Sequence, residues 1–295
     1  MPAPAHFDGT APRLPSGLTL PRLIAIDIDG TILGPDKLVT PRTRAAIGAV
    51  RELGVKVVLA TGRPLRTALP IAQEVGATDS VIAYNGAAMS HAGSFRVLGE
   101  LELGAATEAL RRIRTAAPSA TLALETDSGW VLDGAAGGGP LEPVGNVAHL
   151  FHGGPPTAVG PLEDFIGGSR IKLLAVYDDE HPSRLARVLE GLDLYSTWSL
   201  PFLLEVHHAA VDKSAALAEL CRLLGVKPEE VAAFGDQHND AGMLAWAGLG
   251  VAMGNSEPEA LEVADLVTAS NLADGVAMVI ESWLRAAPGS HEVAV

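Results

Sequence analysis

The chain has 295 residues, 48% of them apolar and 19% charged, which suits one large domain or two modest ones and excludes a disordered chain. A formal net charge of −14 argues against nucleic acid and anionic membrane as general partners, although a small anionic substrate stays open because a local site can override the global field. Cys221 is the single cysteine, so an intrachain disulfide and a cysteine-based zinc site are excluded and a reducing, cytoplasmic setting is expected.

No apolar run approaches the roughly 18–20 residues that span a bilayer. Residues 1–19 carry Pro2, Pro4, Pro12 and Pro15 without the basic and apolar regions of a signal peptide, and read as a flexible leader. Residues 23–28 form a nearly continuous apolar run, the pattern of a strand buried on both faces. Pro41 suits the first turn of a helix whose apolar positions Ala45, Ala46, Ala49, Val50 and Leu53 have helical spacing before Gly54 ends it. Residues 55–60 predict the next strand, a helix runs to about Val75, and residues 80–84 predict a third strand. This alternation predicts an α/β, Rossmann-like core with a parallel sheet, covering residues 20–87 and resuming at 210–288.

The texture changes over residues 88–209, which read as an inserted α+β domain. Glycines cluster at 137–139, 153–154 and 167–168; strands are expected over 121–124, 170–177 and 203–206, and helices over 105–115 and 182–192. The α/β rhythm returns with a helix over 213–224 stopped by Gly225, a short helix at Pro228, a strand over 231–234, a helix over 240–247 and strands over 250–253 and 264–268. Residues 289–295 read as a frayed tail.

Four polar clusters follow predicted strands: Asp27-Ile28-Asp29-Gly30-Thr31, Thr61-Gly62-Arg63, Asn85-Gly86, and Gly235-Asp236 through Asn239-Asp240. Sites in open parallel sheets form beyond the carboxyl ends of the strands, so these clusters are expected to converge. Each alone has an ordinary explanation: Asp and Gly form turns, a threonine caps a helix, and a lysine at a helix start is usually solvated. Together they place Asp27, Asp29, Asp236 and Asp240 near one crevice, where like carboxylates need a divalent cation or Lys213 to offset them. Hard oxygen donors without cysteine or paired histidine suit Mg²⁺, and such a site with a lysine, a threonine hydroxyl and glycine N–H groups suits phosphate.

The series Asp27-Ile-Asp29-Gly-Thr31, Thr61-Gly62-Arg63, Lys213 and Gly235-Asp236-x-x-Asn239-Asp240 resembles the four-motif signature of haloacid dehalogenase-superfamily phosphatases. Asn85-Gly86-Ala87 and Gly250-Val-Ala-Met-Gly254-Asn255 resemble its Cof-like branch, which carries a cap domain in the C2B position, between the second and third motifs. The resemblance implies that Asp27 is the nucleophile, forming an aspartyl phosphate, and that Asp29 is the general acid and then base. It implies that Thr61 with the Gly62 N–H holds the phosphoryl group, that Lys213 neutralises charge, and that Asn85 and Asn239 serve the phosphate, Asn239 alternatively fixing Lys213. Mg²⁺ is then expected on the Asp27 carboxylate, the Asp29 backbone carbonyl and Asp236, with Asp240 orienting a metal water or adding a ligand.

The expected activity is hydrolysis of a small phosphorylated metabolite, a sugar phosphate or a phosphorylated cofactor. A phosphomutase or phosphotransferase on the same core is the nearest alternative, and a non-catalytic regulatory protein is the alternative from another class. Oligomeric state stays open between monomer and homodimer. Arg63 is left between an ion pair and a substrate contact, and His238 could touch substrate. Adjacent His207 and His208 face opposite sides of a strand and so make a poor metal pair. Trp130 and Trp198 suit the core of the inserted domain, and Cys221 lies on an apolar helix face with Leu217, Leu220 and Leu224.

Overall fold

The computed structural model describes residues 4–134, 155–177 and 182–287. In chain order these form β1 (Ala5–His6), β2 (Leu23–Ile26), α1 (Pro41–Glu52), β3 (Lys56–Ala60), α2 (Leu65–Glu74), β4 (Ser80–Ala83), β5 (Ala88–His91) and β6 (Ser94–Val97). There follow α3 (Leu103–Ala116), β7 (Thr121–Thr126), β8 (Gly129–Asp133), β9 (Ala158–Gly160), β10 (Lys172–Val176), α4 (Pro182–Arg187), β11 (Leu194–Leu200) and β12 (Leu203–His208). The chain closes with α5 (Lys213–Leu224), β13 (Val231–Gly235), α6 (Ala241–Trp246), β14 (Leu249–Ala252), α7 (Pro258–Val263), β15 (Leu266–Val267) and α8 (Gly275–Ala286). Contacts divide it into two units, Met1–Phe95 with Asp212–Val295, and Arg96–Val211. No helix among the described residues is long and apolar enough to cross a membrane.

The first unit is α/β. Among the described residues its sheet runs β1-β15-β14-β13-β2-β3-β4-β5-β6. The pairs from β1 to β4 are parallel and β4–β5 is antiparallel. Ile26 stands beside both Phe234 and Leu59, and Ala60 beside Ile82, so the carboxyl ends of β13, β2, β3 and β4 lie level with one another. That register delivers the four polar clusters to one rim. Residues of β2, β4, β13 and β14 are buried throughout, because helices pack both faces of the sheet. Helices α1, α2 and α8 contribute Ile47, Val50, Ala68, Ala72, Ile280 and Trp283 to one core with Ile24, Ile26, Leu59 and Phe234. The α1 boundary is set by Thr40, whose hydroxyl accepts the Thr43 N–H at 3.1 Å, followed by Pro41. Likewise α5 starts at Asp212, which caps the Ala215 N–H at 2.7 Å, and stops at left-handed Gly225.

Several features depart from the reading of the sequence. The leader is not loose: β1 pairs with β15, Leu14 is buried, and the Trp283 indole donates to the Pro12 carbonyl at 2.9 Å. Its prolines break regular structure, yet its few apolar residues find a groove on the core. Residues 88–91 continue the core sheet as an antiparallel strand, so the unit boundary falls after Phe95 rather than at 87, and the second at Val211 rather than 209. Helices α7 and α8 were not expected from the pattern; α7 is too short to show a period, and α8 is apolar around most of its circumference. The glycines at 137–139 and 153–154 and the tail 289–295 lie outside the described residues.

The second unit is α+β. Among the described residues its sheet runs β11-β12-β10-β7-β8-β9, antiparallel except for β8–β9. One face packs Leu122, Leu124, Leu173 and Val206 on Leu110 and Ile113 of α3 and Leu185 of α4. The other face holds Ala123, Trp130, Leu174, Val176 and Leu203, together with an ion pair of Lys172 Nζ and Glu205 Oε1 at 2.5 Å. His207 is fully buried, and burial, with the Lys172 charge, keeps its imidazole neutral by pushing its pKa well down.

Candidate active site

The rim of the first unit brings together groups from five places in the chain. Asp27 follows β2 and its N–H donates to the Phe234 carbonyl of β13 at 3.0 Å, locking the two strand ends side by side. Lys213, the first residue of α5, is 1% exposed; its Nζ donates to Asp27 Oδ1 at 2.6 Å and to Asp240 Oδ1 at 2.7 Å. Asp240 Oδ2 accepts the N–H groups of Asp236 and Gln237, each at 3.0 Å. Asp236 follows β13 and its Oδ1 accepts the Thr31 hydroxyl at 2.8 Å. Its backbone carbonyl accepts the Glu257 N–H at 2.8 Å, and Asn255 Nδ2 donates to the Gly30 carbonyl at 2.9 Å. Gly30 has φ 86°, and a Cβ there would lie 2.1 Å from Asp236 Oδ2, so the turn after Asp29 approaches the carboxylate as only glycine allows.

The electrostatics of this cluster are unbalanced. Oxygens of Asp27, Asp236 and Asp240 all lie within 4.8 Å of one another, and all three residues are buried. Burial raises the Asp27 pKa well above the carboxylate range; the Lys213 ammonium opposes this, and the Asp240 and Asp236 charges add to it. Burial and then Asp240 push Asp236 up to about 7, against the Thr31 hydrogen bond. Burial works against the charge of Lys213, but Asp240 and Asp27 outweigh it and hold the ammonium protonated above its ordinary value. Three desolvated hard-oxygen donors facing one ammonium fit a divalent cation. Asp240 meets Lys213 with one oxygen and two backbone N–H groups with the other, beside the carboxylates of Asp27 and Asp236.

Asp29 stands apart from that cluster. Its Oδ2 accepts Arg63 Nε at 2.6 Å, and its Oδ1 accepts Arg63 Nη2 at 2.7 Å and Lys37 Nζ at 2.9 Å. Burial opposes its charge, yet the Arg63 and Lys37 contacts prevail and draw its pKa down to about 2. In this geometry Asp29 is a carboxylate, the form that accepts a proton. Arg63, open between two roles in the sequence, is here an ion-pair partner.

The remaining clusters meet across β3 and β4. The Thr61 N–H donates to the Ile82 carbonyl and the Asn85 N–H to the Thr61 carbonyl, each at 2.9 Å. Asn239 Nδ2 donates to Asn85 Oδ1 at 3.0 Å, tying the β4 cluster to the β13 cluster across 154 residues. Tyr84, Asn85 and Gly86 are all left-handed, with φ 55°, 54° and 96°. A Cβ on Gly86 would lie 2.0 Å from the Asp212 carbonyl oxygen, so this tight turn is the seat on which the start of α5, and hence Lys213, rests.

Every residue to which the sequence assigns a catalytic, phosphate or metal role therefore lies on these linked turns or, for Lys213, at the start of α5. The partners of Asp29 were not found by pattern, nor was the Glu257 side chain, whose Oε2 accepts the His238 N–H at 3.0 Å and lies 3.1 Å from His238 Nδ1. Nothing in their local spacing marks Lys37 or Glu257; Asn255 belongs to a recognisable motif but had no role assigned.

Known proteins resemble this chain over most of its length. The model of a family described as haloacid dehalogenase-like hydrolase matches residues 24–280. The 5-amino-6-(5-phospho-D-ribitylamino)uracil phosphatase YcsE of Bacillus subtilis (strain 168) is 30% identical over 263 residues, 89% of this chain and 96% of that protein. The HMP-PP phosphatase of Serratia proteamaculans (strain 568) is 31% identical over 274 residues, 90% of this chain and 96% of that protein. A crystal structure of a haloacid dehalogenase-like hydrolase from Bacteroides thetaiotaomicron superposes with a TM-score of 0.72 at 29% identity, covering 88% of this chain and 98% of that one.

Proposed function

The chain belongs to the haloacid dehalogenase-like hydrolases, in their Cof-like branch, and on that footing we propose that it is a magnesium-dependent phosphatase of small phosphorylated metabolites. The observation that carries this reading is the buried Lys213 ammonium bridging Asp27 and Asp240 beside Asp236. Similar proteins named as phosphatases of a ribityl phosphate and of HMP-PP support a sugar phosphate or phosphorylated cofactor as substrate class. On this reading residues 96–211 are the cap domain of the branch.

An Asp27 carboxylate oxygen attacks phosphorus and the bond to the leaving oxygen breaks; Asp29, a carboxylate in the free site, takes up a proton when the phosphoryl charge is brought beside it and gives that proton to the leaving oxygen's electron pair. A water then attacks the aspartyl phosphate, Asp29 accepts its proton, the acyl phosphate bond breaks, and inorganic phosphate leaves with Asp27 restored. Thr61, the Gly62 N–H, Asn85 and Asn239 hold the phosphoryl oxygens, and Lys213 neutralises charge on them and on Asp27. The carboxylates of Asp27 and Asp236 and the Asp29 carbonyl would hold magnesium, with Asp240 orienting a metal water or adding a ligand, and the ion when bound would supply further charge neutralisation.

Release of inorganic phosphate from p-nitrophenyl phosphate and from a panel of phosphorylated metabolites, with and without Mg²⁺, tests this. Magnesium-dependent release without a bisphosphate activator is expected, which a mutase would not give. Asp27→Asn is expected to lower kcat by at least about a thousandfold; wild-type turnover by that variant overturns the nucleophile.

A further inference from the structure

Asp29 lies outside the Lys213 cluster at this rim, and its side chain is held by other cations. The Arg63 guanidinium meets both Asp29 oxygens in a two-pronged contact, at 2.6 and 2.7 Å, with the side chains 23% and 34% exposed. Arg63 is itself fixed inside the site's own turn. Its N–H donates to Thr61 Oγ1 at 3.1 Å, and its carbonyl accepts the Tyr84 N–H at 3.0 Å. A rigid planar fork anchored at both backbone ends holds a carboxylate in one orientation, which a lysine or a free arginine does not. The exposed Lys37 adds one contact at 2.9 Å from a left-handed backbone with φ 61°, a conformation costly for a residue with a side chain.

We propose that Arg63 is the positioning residue for Asp29: from the end of β3 it fixes the direction in which the Asp29 carboxyl meets the leaving oxygen. This inference rests on the phosphatase reading and on Asp29 as its general acid. Misplacing an acid–base group by about 1 Å costs on the order of a hundredfold, and general acid assistance matters most for basic leaving oxygens. Loss of Arg63 therefore harms hydrolysis of an alkyl phosphate, with its strongly basic leaving oxygen, far more than hydrolysis of p-nitrophenyl phosphate.

The test is kcat/KM for glycerol phosphate and for p-nitrophenyl phosphate, with Mg²⁺, in the wild type, Arg63→Ala, Arg63→Lys, Asp29→Asn and the Asp29→Asn/Arg63→Ala pair. Arg63→Ala is expected to lower the alkyl substrate roughly tenfold more than the aryl one, with Arg63→Lys between it and the wild type. Asp29→Asn is expected to show the same bias, and adding Arg63→Ala to it to leave the bias unchanged. A merely structural arginine would lower both substrates by one factor, and that outcome, or a further bias in the double variant, overturns the role of Arg63 alone. If Asp29→Asn itself lowers both substrates equally, Asp29 is not the general acid, and the role of Arg63 falls with it.

Discussion

Lys213 Nζ lies 2.6 Å from Asp27 Oδ1 across 186 residues of chain. The ammonium also reaches Asp240, and Asp236 completes a set in which one positive group faces three carboxylates. In a buried place an unmatched charge is destabilising by far more than at the surface. The first unit therefore carries, at the rim of its sheet, a local deficit of positive charge that a bound dication would remove.

That deficit has a sign in pH. Asp236 titrates at about 7 in the fold, well above an ordinary carboxylate, and Asp27 is shifted the same way. A carboxylate raised by folding gives stability that is complete below its unfolded pKa, near 4, and is lost as pH rises through its folded value. Asp29, drawn down to about 2, acts in the opposite sense but only below about pH 4, outside the interval of interest. The metal-free protein is thus expected to melt at a lower temperature at pH 8 than at pH 5.5, and Mg²⁺ to raise its Tm more at pH 8. Scanning calorimetry with and without Mg²⁺ at the two pH values checks this; equal gains at both would contradict it.

Thr31 orients Asp236 through one hydrogen bond of 2.8 Å in a buried setting. Replacing it by valine keeps the shape and removes the donor, leaving the Asp236 oxygen less well directed. Loss of such a supporting contact weakens metal affinity by about 10- to 100-fold in comparable sites. Thr31→Val is expected to shift the Mg²⁺ concentration for half-maximal activity upward by about tenfold, read from a Mg²⁺ titration at saturating substrate. An unchanged midpoint would show that the Thr31 hydroxyl does not support a metal site at Asp236.

Gly86 has a left-handed φ of 96°, and a Cβ added to it would meet the Asp212 carbonyl oxygen at 2.0 Å. Gly93 has φ 78° and open space around it. An alanine at Gly93 meets only conformational strain, on the order of 1 kcal/mol, whereas at Gly86 it also collides with the backbone that carries Lys213. Gly86→Ala is expected to lose most activity and about 2–4 kcal/mol of stability, and Gly93→Ala to stay close to the wild type in activity. Urea unfolding and turnover of p-nitrophenyl phosphate measure both; equal losses in the two variants would mean that the seat under α5 does not matter.

Much of the catalytic rim was legible in the chain because each part is a local signal. Residues 23–26 are apolar and end abruptly in Asp27, and residues 231–234 end in the same way before Asp236. A strand buried on both faces has to be apolar without interruption, so the first charged residue after it marks the sheet edge, where water and ligands begin. The parallel order followed from alternating periods of strand and helix.

Other features had no such signal. Leu14 and Pro12 look like parts of a loose leader until Trp283, 271 residues from Pro12, supplies the surface they cover. Arg63 sits in a recognisable turn, but spacing could not choose between an ion pair and a substrate contact, nor name Asp29 as the partner. Asp240 carried no local sign that three donors, the Lys213 ammonium and two backbone N–H groups, would converge on its two oxygens. Composition and periodicity along the chain determined which segments become strands and which carboxylates reach the rim. The pairing of each charge was decided only in three dimensions, because a hydrogen bond or ion pair depends on angles and distances between segments that local pattern does not encode.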